Sequence, residues 1–173
     1  MPALLTERLR LVPITLEAVE AVLDHDKPRA EAIVGARFPP AWPNDQLLDV
    51  GFPYSRAAIR AAPEIRLWGD SLVILRDEPL VVGSVVFRGH PSDGIAEVGY
   101  GIEEHSRGIG LATEATRACV EWALAQPGIV AVHATTFPWH VASLGVIRNL
   151  GMKHIDTREH DTLGELLIFE RRL

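Results

Sequence analysis

The stretch IAEVGYGIEEHSRGIGLATEATRAC, residues 95–119, decides the fold. Ile95 to Ile102 is short, apolar and β-permissive, and Glu103 to Ser106 is polar. From Leu111 the apolar residues fall at Ala115, Ala118, Cys119 and Trp122, the spacing of a helix buried on one face. Gly108 and Gly110 therefore sit where a helix begins, without the Cβ atoms that would hold a ligand off the backbone N–H groups. The first N–H groups of a helix have no internal partner and lie at the positive end of its dipole, so this turn suits an anion such as a pyrophosphate. No Gly-Lys-Ser/Thr follows, which removes a Walker loop, and the third glycine and later ribose-binding acid of a dinucleotide fingerprint are missing.

Downstream the pattern predicts a helix to Gln126, a turn at Pro127-Gly128, a strand over Ile129 to Phe137, and a helix from about His140 to Leu150 closed by Gly151. In this order the sequence resembles the GCN5-related N-acetyltransferase (GNAT) superfamily. AEVGYGIEEHSRGIGLATEA looks like the acetyl-CoA motif of its ribosomal-protein N-terminal (alanine) acetyltransferase, RimJ/RimL-like, branch. HVASLGVIRNLGM looks like that branch's second cofactor motif, and LLTERLRLVPIT like its first strand. Three positions depart from the pattern: His105 opens the Q/R-x-x-G-x-G/A signature, His140 replaces an Asn, and Met152 replaces a Phe.

Outward from that centre, 173 residues at 47% hydrophobic suffice for one domain with a substantial core. The expected architecture is a single domain over residues 1–173, mixed α/β, with a mostly antiparallel central sheet and helices on both faces. One cysteine excludes an internal disulfide framework, no apolar run reaches the length of a membrane span, and the opening MPALLTERLR has no secretory pattern, so the chain reads as cytoplasmic. A net charge of −6 with 17 scattered basic residues argues against nucleic acid as a partner and favours cationic acceptors such as amines.

Leu5 to Val12 reads as an edge or near-edge strand and Thr15 as the N-cap of a helix through Leu23. Leu67 to Arg76 and Leu80 to Arg88 read as a hairpin turning at Asp77-Glu78-Pro79, and Pro91 to Gly94 as a further turn. Residues 35–63, rich in aromatics and prolines, read as a rigid lobe with a helix around Gln46 to Ala61. The resemblance places the acceptor-side wall here, at Phe38, Trp42, Phe52 and Tyr54; ordinary core packing is the alternative. Asp24-His25-Asp26 reads as a solvated helix end, and His154, Asp156, His160 and Asp161 as loop residues without metal-ligand spacing, so no metal is expected. Cys119 lies on the buried stripe and reads as a core thiol.

Ile95, Glu97, Gly99 and Gly101 share one face of a regular strand, a carboxylate beside two missing side chains. The resemblance implies a bulge that opens this central strand to the pantetheine arm and a direct attack of a neutral amine on the thioester. It implies that acetyl-CoA is held by Tyr100, Gly101, Ile102, His105, Ser106, Arg107, Gly108, Ile109, Gly110, Leu111, Ala112, Thr113, His140 and Ser143. Glu97 is then a general base or a structural acid. Ser143 is the thiolate's proton donor, a cofactor contact or a cap, and His140 a cap, a cofactor contact or an aid to Ser143. Arg107, Arg117 and Arg148 contact phosphates or face solvent. A Ser-His hydrolase built on His140 and Ser143 fails because the nucleophile-elbow pattern is absent. The acceptor is a primary amine, of a peptide N-terminus or of an antibiotic- or polyamine-like small molecule. The competing class is a non-catalytic acyl-CoA sensor, and a homodimer is left open.

Overall fold

The computed structural model describes residues 2–172, the side chains of residues 65–67 excepted. In chain order the elements are β1 (Leu4–Leu5), β2 (Leu9–Pro13), α1 (Leu16–Leu23), α2 (Lys27–Val34), α3 (Phe52–Ala61), β3 (Asp70–Leu75), β4 (Val81–Phe87), β5 (Ile95–Ile102), α4 (Leu111–Leu124), β6 (Ala131–Thr136), α5 (Val141–Asn149), β7 (Lys153–His160) and β8 (Gly164–Arg172). The strands form one eight-stranded sheet in the order β1-β2-β3-β4-β5-β6-β8-β7. Every neighbouring pair is antiparallel except β5 with β6, whose connection is the helix α4, as a parallel crossover requires.

Two cores clothe the sheet. On one side α4 buries Leu111, Ala115, Cys119, Val120, Ala123 and Leu124 against Leu11, Val73, Val85, Val98 and Val132, with Ile147 of α5. The apolar spacing of residues 111–124 predicts this face, and Met152 occupies a place in the same core. On the other side Val19, Val22, Ala30, Val34, Phe52 and Ile59 pack on Leu72, Ile74 and Val81. Fully burying such a Val, Leu, Ile or Phe side chain contributes about 1.5–3 kcal/mol, so the two layers dominate the favourable side of folding. Among the described residues none of β5 to β8 joins the second core, so the half-sheet face bearing Glu97 and Gly101 lies outside the packing of α1 to α3.

The local expectations hold at several points. The Ala18 N–H donates to Thr15 Oγ1, capping α1, and Asp26 caps a helix by accepting from the Arg29 N–H. That second helix, α2, is absent from the sequence reading, because Lys-Pro-Arg-Ala-Glu-Ala carries no apolar stripe. The strand expected over Leu5 to Val12 divides into β1 and β2 at Thr6, whose hydroxyl accepts from the Leu9 N–H. Residues 63–68 form a 3-10 turn, so the strand expected from Leu67 starts at Asp70.

Two expectations are corrected. Phe38, Trp42 and Phe52 do not line a wall: they are buried edge to face, with ring centroids 4.7 and 5.9 Å apart, because the lobe needs its own interior. Only Tyr54 of the four is exposed. The bulge expected in Ile95–Ile102 is also missing, since the β4–β5 ladder stays in step from Gly83↔Ile102 to Phe87↔Val98. The shift lies on the other side of β4, where Val82 is passed over between Val73↔Gly83 and Ile74↔Val81. Gly83 sits beside this shift, where only glycine fits: a Cβ there would meet the Gly101 carbonyl oxygen at 2.1 Å.

Asp70 opens β3 beneath α3, buried, and accepts a hydrogen bond from the Ser55 hydroxyl. Burial raises its carboxyl above the ordinary range and the Ser55 bond pulls it part of the way back. The folded state thus holds the proton more tightly than the unfolded chain, so this group's contribution is most favourable at acid pH and is lost as pH rises through the folded pKa. Asp70→Asn is expected to raise Tm at pH 7 by a few degrees, at about 2–4 °C per kcal/mol, with the gain shrinking at pH 4. Thermal unfolding at both pH values checks it; an equal loss at both would contradict the assignment.

Candidate active site

The site begins where the sheet divides. β5 and β6 pair at Ile95↔Ala131, Ala96↔Val132 and Glu97↔His133 and no further. From Val98 to Ile102 β5 runs on for about 13 Å while β6 stays paired only with β8. Gly94 offers its carbonyl to the β6 side and Glu97 its carbonyl to Arg88 just past β4, so the even-numbered residues present their backbone to the gap. The N–H groups of Tyr100 and Ile102 therefore line an open slot. An extended amide chain can pair with such an edge as an added strand does. A Cβ on Gly101 would meet nothing within 4 Å, whereas one on Gly99 would meet Val86 Cγ1 at 3.2 Å, so the open place expected on this face is present at Gly101 and not at Gly99.

At the wide end of the slot lies the turn of residues 103–110. Gly108 and Gly110 have φ of 82° and 86°, the left-handed region that favours glycine. Gly110 is the N-cap of α4 and no side chain caps the helix, leaving the N–H groups of Leu111, Ala112 and Thr113 for a ligand. Arg8, absent from the sequence reading, holds this turn from the other end of the chain. Its Nη1 donates to the Ile109 carbonyl at 2.9 Å and its Nε to Glu114 Oε2 at 2.7 Å, while the Thr6 hydroxyl donates to Glu114 Oε1 at 2.6 Å. Burial would raise the Glu114 carboxyl, but the hydrogen bonds from Thr6 and Arg8 and the Arg8 charge outweigh it, and the net shift is downward. Arg107 Nε donates to the Ile102 carbonyl at 2.8 Å, and Arg117 Nη2 to the Asn149 carbonyl at 2.5 Å, so both arginines have structural partners. Ser106 donates to Glu103 Oε2 at 3.4 Å. His105 is exposed beside Glu103, with Nδ1 at 2.7 Å, and that hydrogen bond and charge push its imidazole up.

Across the slot stands α5. Tyr100 reaches from β5 to it, donating to the Ser143 carbonyl at 3.1 Å with the Ser143 hydroxyl at 3.0 Å. Burial raises the Tyr100 phenol, against a smaller opposing effect of Ser143, so it stays protonated at neutral pH. His140 takes the N-cap position, yet its side chain does not cap; Nδ1 lies 3.5 Å from the Thr136 hydroxyl. At the foot of the fork Glu97 Oε1 is ion-paired with Arg88 Nε and accepts from the Thr135 hydroxyl, each at 3.3 Å. The fold thus gathers Glu97, Tyr100, Gly101, Ile102, residues 105–113, His140 and Ser143 around one slot, and leaves Phe38, Trp42 and Phe52 outside it. Among the described residues no group of three or more His, Cys, Asp or Glu is placed to hold a metal, and no helix is long and apolar enough to cross a membrane.

The sequence pattern of the acetyltransferase (GNAT) domain matches residues 8–153, which include the whole slot and turn. The chain belongs to the GNAT acetyltransferase family. It is similar to the uncharacterized N-acetyltransferase YjdG of Bacillus subtilis, 25% identical over 152 residues that cover 87% of this chain and 89% of that protein. Its fold is shared with the ribosomal-protein-S5-alanine acetyltransferase from Vibrio fischeri, at a TM-score of 0.73 and 12% identity over 99% of this chain and 97% of that one. RimL, a ribosomal L7/L12 α-N-protein acetyltransferase solved with coenzyme A, gives 0.70 at 15% identity over 99% and 97%. MccE, a microcin C7 self-immunity acetyltransferase solved with acetyl-CoA and AMP, gives 0.66 at 14% over 100% and 98%. This GNAT enzyme takes acetyl-CoA as its cosubstrate. The free strand edge and the uncapped helix start fit the amide-bearing arm and the phosphates of that molecule.

A bulky residue at Gly110 stands between the phosphates and those N–H groups. Gly110→Val should weaken CoA binding at least tenfold, about 1.4 kcal/mol or more, in a protein whose circular dichroism is unchanged. Calorimetric titration checks this; unchanged affinity would take the phosphates away from this turn.

Proposed function

We propose that the 173 residues act as one cytoplasmic domain that transfers acetyl from acetyl-CoA to a primary amine, with a protein N-terminal α-amine as acceptor. The observation that carries this is the sheet face bearing Glu97, outside both apolar cores, where Gly101 leaves room for a polypeptide end beside the slot. The solved α-N-protein and ribosomal-protein alanine acetyltransferases share the fold over nearly the whole chain, which supports the same acceptor class. The buried, lone thiol of Cys119 suits a reducing compartment.

In this reading the N–H groups of Leu111 to Thr113 hold the phosphates and the edge of β5 holds the arm. Glu97, with Oε1 fixed by Arg88 and Thr135, faces the incoming amine. The leaving thiolate takes its proton from the Tyr100–Ser143 pair. The phenol is the better donor of the two, because it is protonated at neutral pH and far more acidic than an aliphatic hydroxyl, while Ser143 aims it. His140 stands at the same end of α5 and contacts the arm.

Supplied with acetyl-CoA and a panel of peptides, aminoglycosides and polyamines, the protein should release CoA fastest with a peptide bearing a free α-amine. Preference for the small molecules would move it to the small-molecule class, and release with none of them would favour an acyl-CoA sensor. Tyr100→Phe should lower kcat by at least tenfold with acetyl-CoA affinity unchanged, and Ser143→Ala by less. Equal turnover in Tyr100→Phe and the wild type would leave the donor to Ser143 or water.

A further inference from the structure

A row of charged side chains crosses the uncovered face at the level where the fork closes. Arg88, just past the end of β4, pairs with Glu97, Glu97 is in register with His133, His133 with Glu170, and Glu170 with Lys153, the last four from adjacent strands β5, β6, β8 and β7. His133 stands in the middle, in the last pair before β5 and β6 separate. Its Nε2 lies 3.1 Å from Glu170 Oε2, and both side chains are largely buried, 21% and 14% exposed.

The proton positions follow from this geometry. Glu170 also receives Arg172 Nε at 2.7 Å and Nη2 at 3.0 Å, and Arg172 first, then His133, hold its carboxyl below the ordinary range. An ionised carboxylate only accepts, so the hydrogen between the two sits on His133 Nε2, and whenever the ring is neutral its lone pair lies on Nδ1. Among the described residues nothing donates to Nδ1. A carboxylate that fixes the tautomer of an imidazole whose other nitrogen is free is the arrangement of a general base. Glu97, the carboxylate beside it, already has Oε1 bound twice.

We propose that His133 is the base that deprotonates the acceptor amine and that Glu170 is its positioning residue. This rests on the acetyltransferase reading above. One proton of the ammonium passes to His133 Nδ1 and on to solvent. The freed lone pair bonds to the acyl carbon, the carbon–sulfur bond breaks with its electrons on sulfur, and the thiolate takes the Tyr100 proton. A second proton leaves the nitrogen as the amide forms and restores the phenol. The need is set by the acceptor, since an α-amine with pKa near 8 is only about a tenth neutral at pH 7. An imidazole takes up a proton in that range, whereas a carboxylate ordinarily does so near pH 4.

The test is kcat/KM against pH for an accepted α-amine peptide, in the wild type, His133→Gln, Glu170→Gln and Glu97→Gln, with acetyl-CoA affinity measured beside it. The charged groups nearest His133 are Glu170, which touches it, Glu97 in register on β5, Arg88 paired to Glu97, and Arg172 and Lys153 around Glu170, so the limb is assigned by variants and not by its midpoint. His133→Gln should lower turnover at pH 7 by about 10²–10⁴ with acetyl-CoA affinity intact, and activity should return as pH rises past the amine's own pKa. Glu170→Gln should lower turnover by less than His133→Gln and release the Nε2–H tautomer, because the ring loses the carboxylate that fixes it. Glu97→Gln should lower turnover but keep the limb. A limb that survives in His133→Gln, or vanishes in Glu97→Gln instead, overturns the proposal. Nitrogen-15 NMR of the His133 ring in the wild type needs no acceptor and so stands apart from the acetyltransferase reading: hydrogen on Nε2 is expected, and hydrogen on Nδ1 overturns the dyad.

Discussion

Strands β5 and β6 are held apart after only three residue pairs, and the rest of the site depends on that separation. Backbone N–H and C=O groups left unpaired at a sheet's centre are costly, so a gap there persists only if both strands are committed elsewhere. β5 is committed through its unbroken ladder to β4, and β6 through its pairs with β8 from Ala131↔Arg172 to Thr136↔Leu167. The packing of α4 and α5 in one core sets the helices on either side of the opening. Tyr100 on Ser143 then bridges the opening, while Arg107 on the Ile102 carbonyl ties the turn to the end of β5.

The helix start is kept open by a related device. A Ser or Asp at the N-cap would occupy one of the free N–H groups, whereas Gly110 occupies none. The turn is instead steadied from behind, by Arg8 on the Ile109 carbonyl and by Thr6 and Arg8 on Glu114. The N-terminal segment and the centre of the chain are thereby tied together, and the donors that matter still point outward. On the opposite face the helices stop at β4, leaving the charged row of Arg88, Glu97, His133 and Glu170 reachable where an amine must arrive.

Much of this is legible in residues 95–119. Period two in Ile95–Ile102 puts Glu97, Gly99 and Gly101 on one face, and the period of α4 and the glycines before it follow from local geometry that sequence records directly. What escapes the sequence is contact between distant positions. Arg8 meets Glu114 across 106 residues, His133 meets Glu170 across 37, and nothing local to either member announces the other. The aromatic lobe was open to two readings because a Phe or Trp looks the same lining a wall or filling a core, and burial chose the core for Phe38, Trp42 and Phe52. The bulge expected in β5 proved unnecessary, since diverging ladders open the sheet without one.

Amide hydrogen exchange tests the fork most directly. If the slot holds the cosubstrate's arm and the turn its phosphates, CoA should slow exchange at the Tyr100 and Ile102 amides, where β5 faces the gap, and at Leu111 to Thr113, which have no partner within the helix. The amides of β6 already bonded to β8 should change little. Protection confined to other elements, with Tyr100 and Ile102 exchanging as fast as before, would contradict the account.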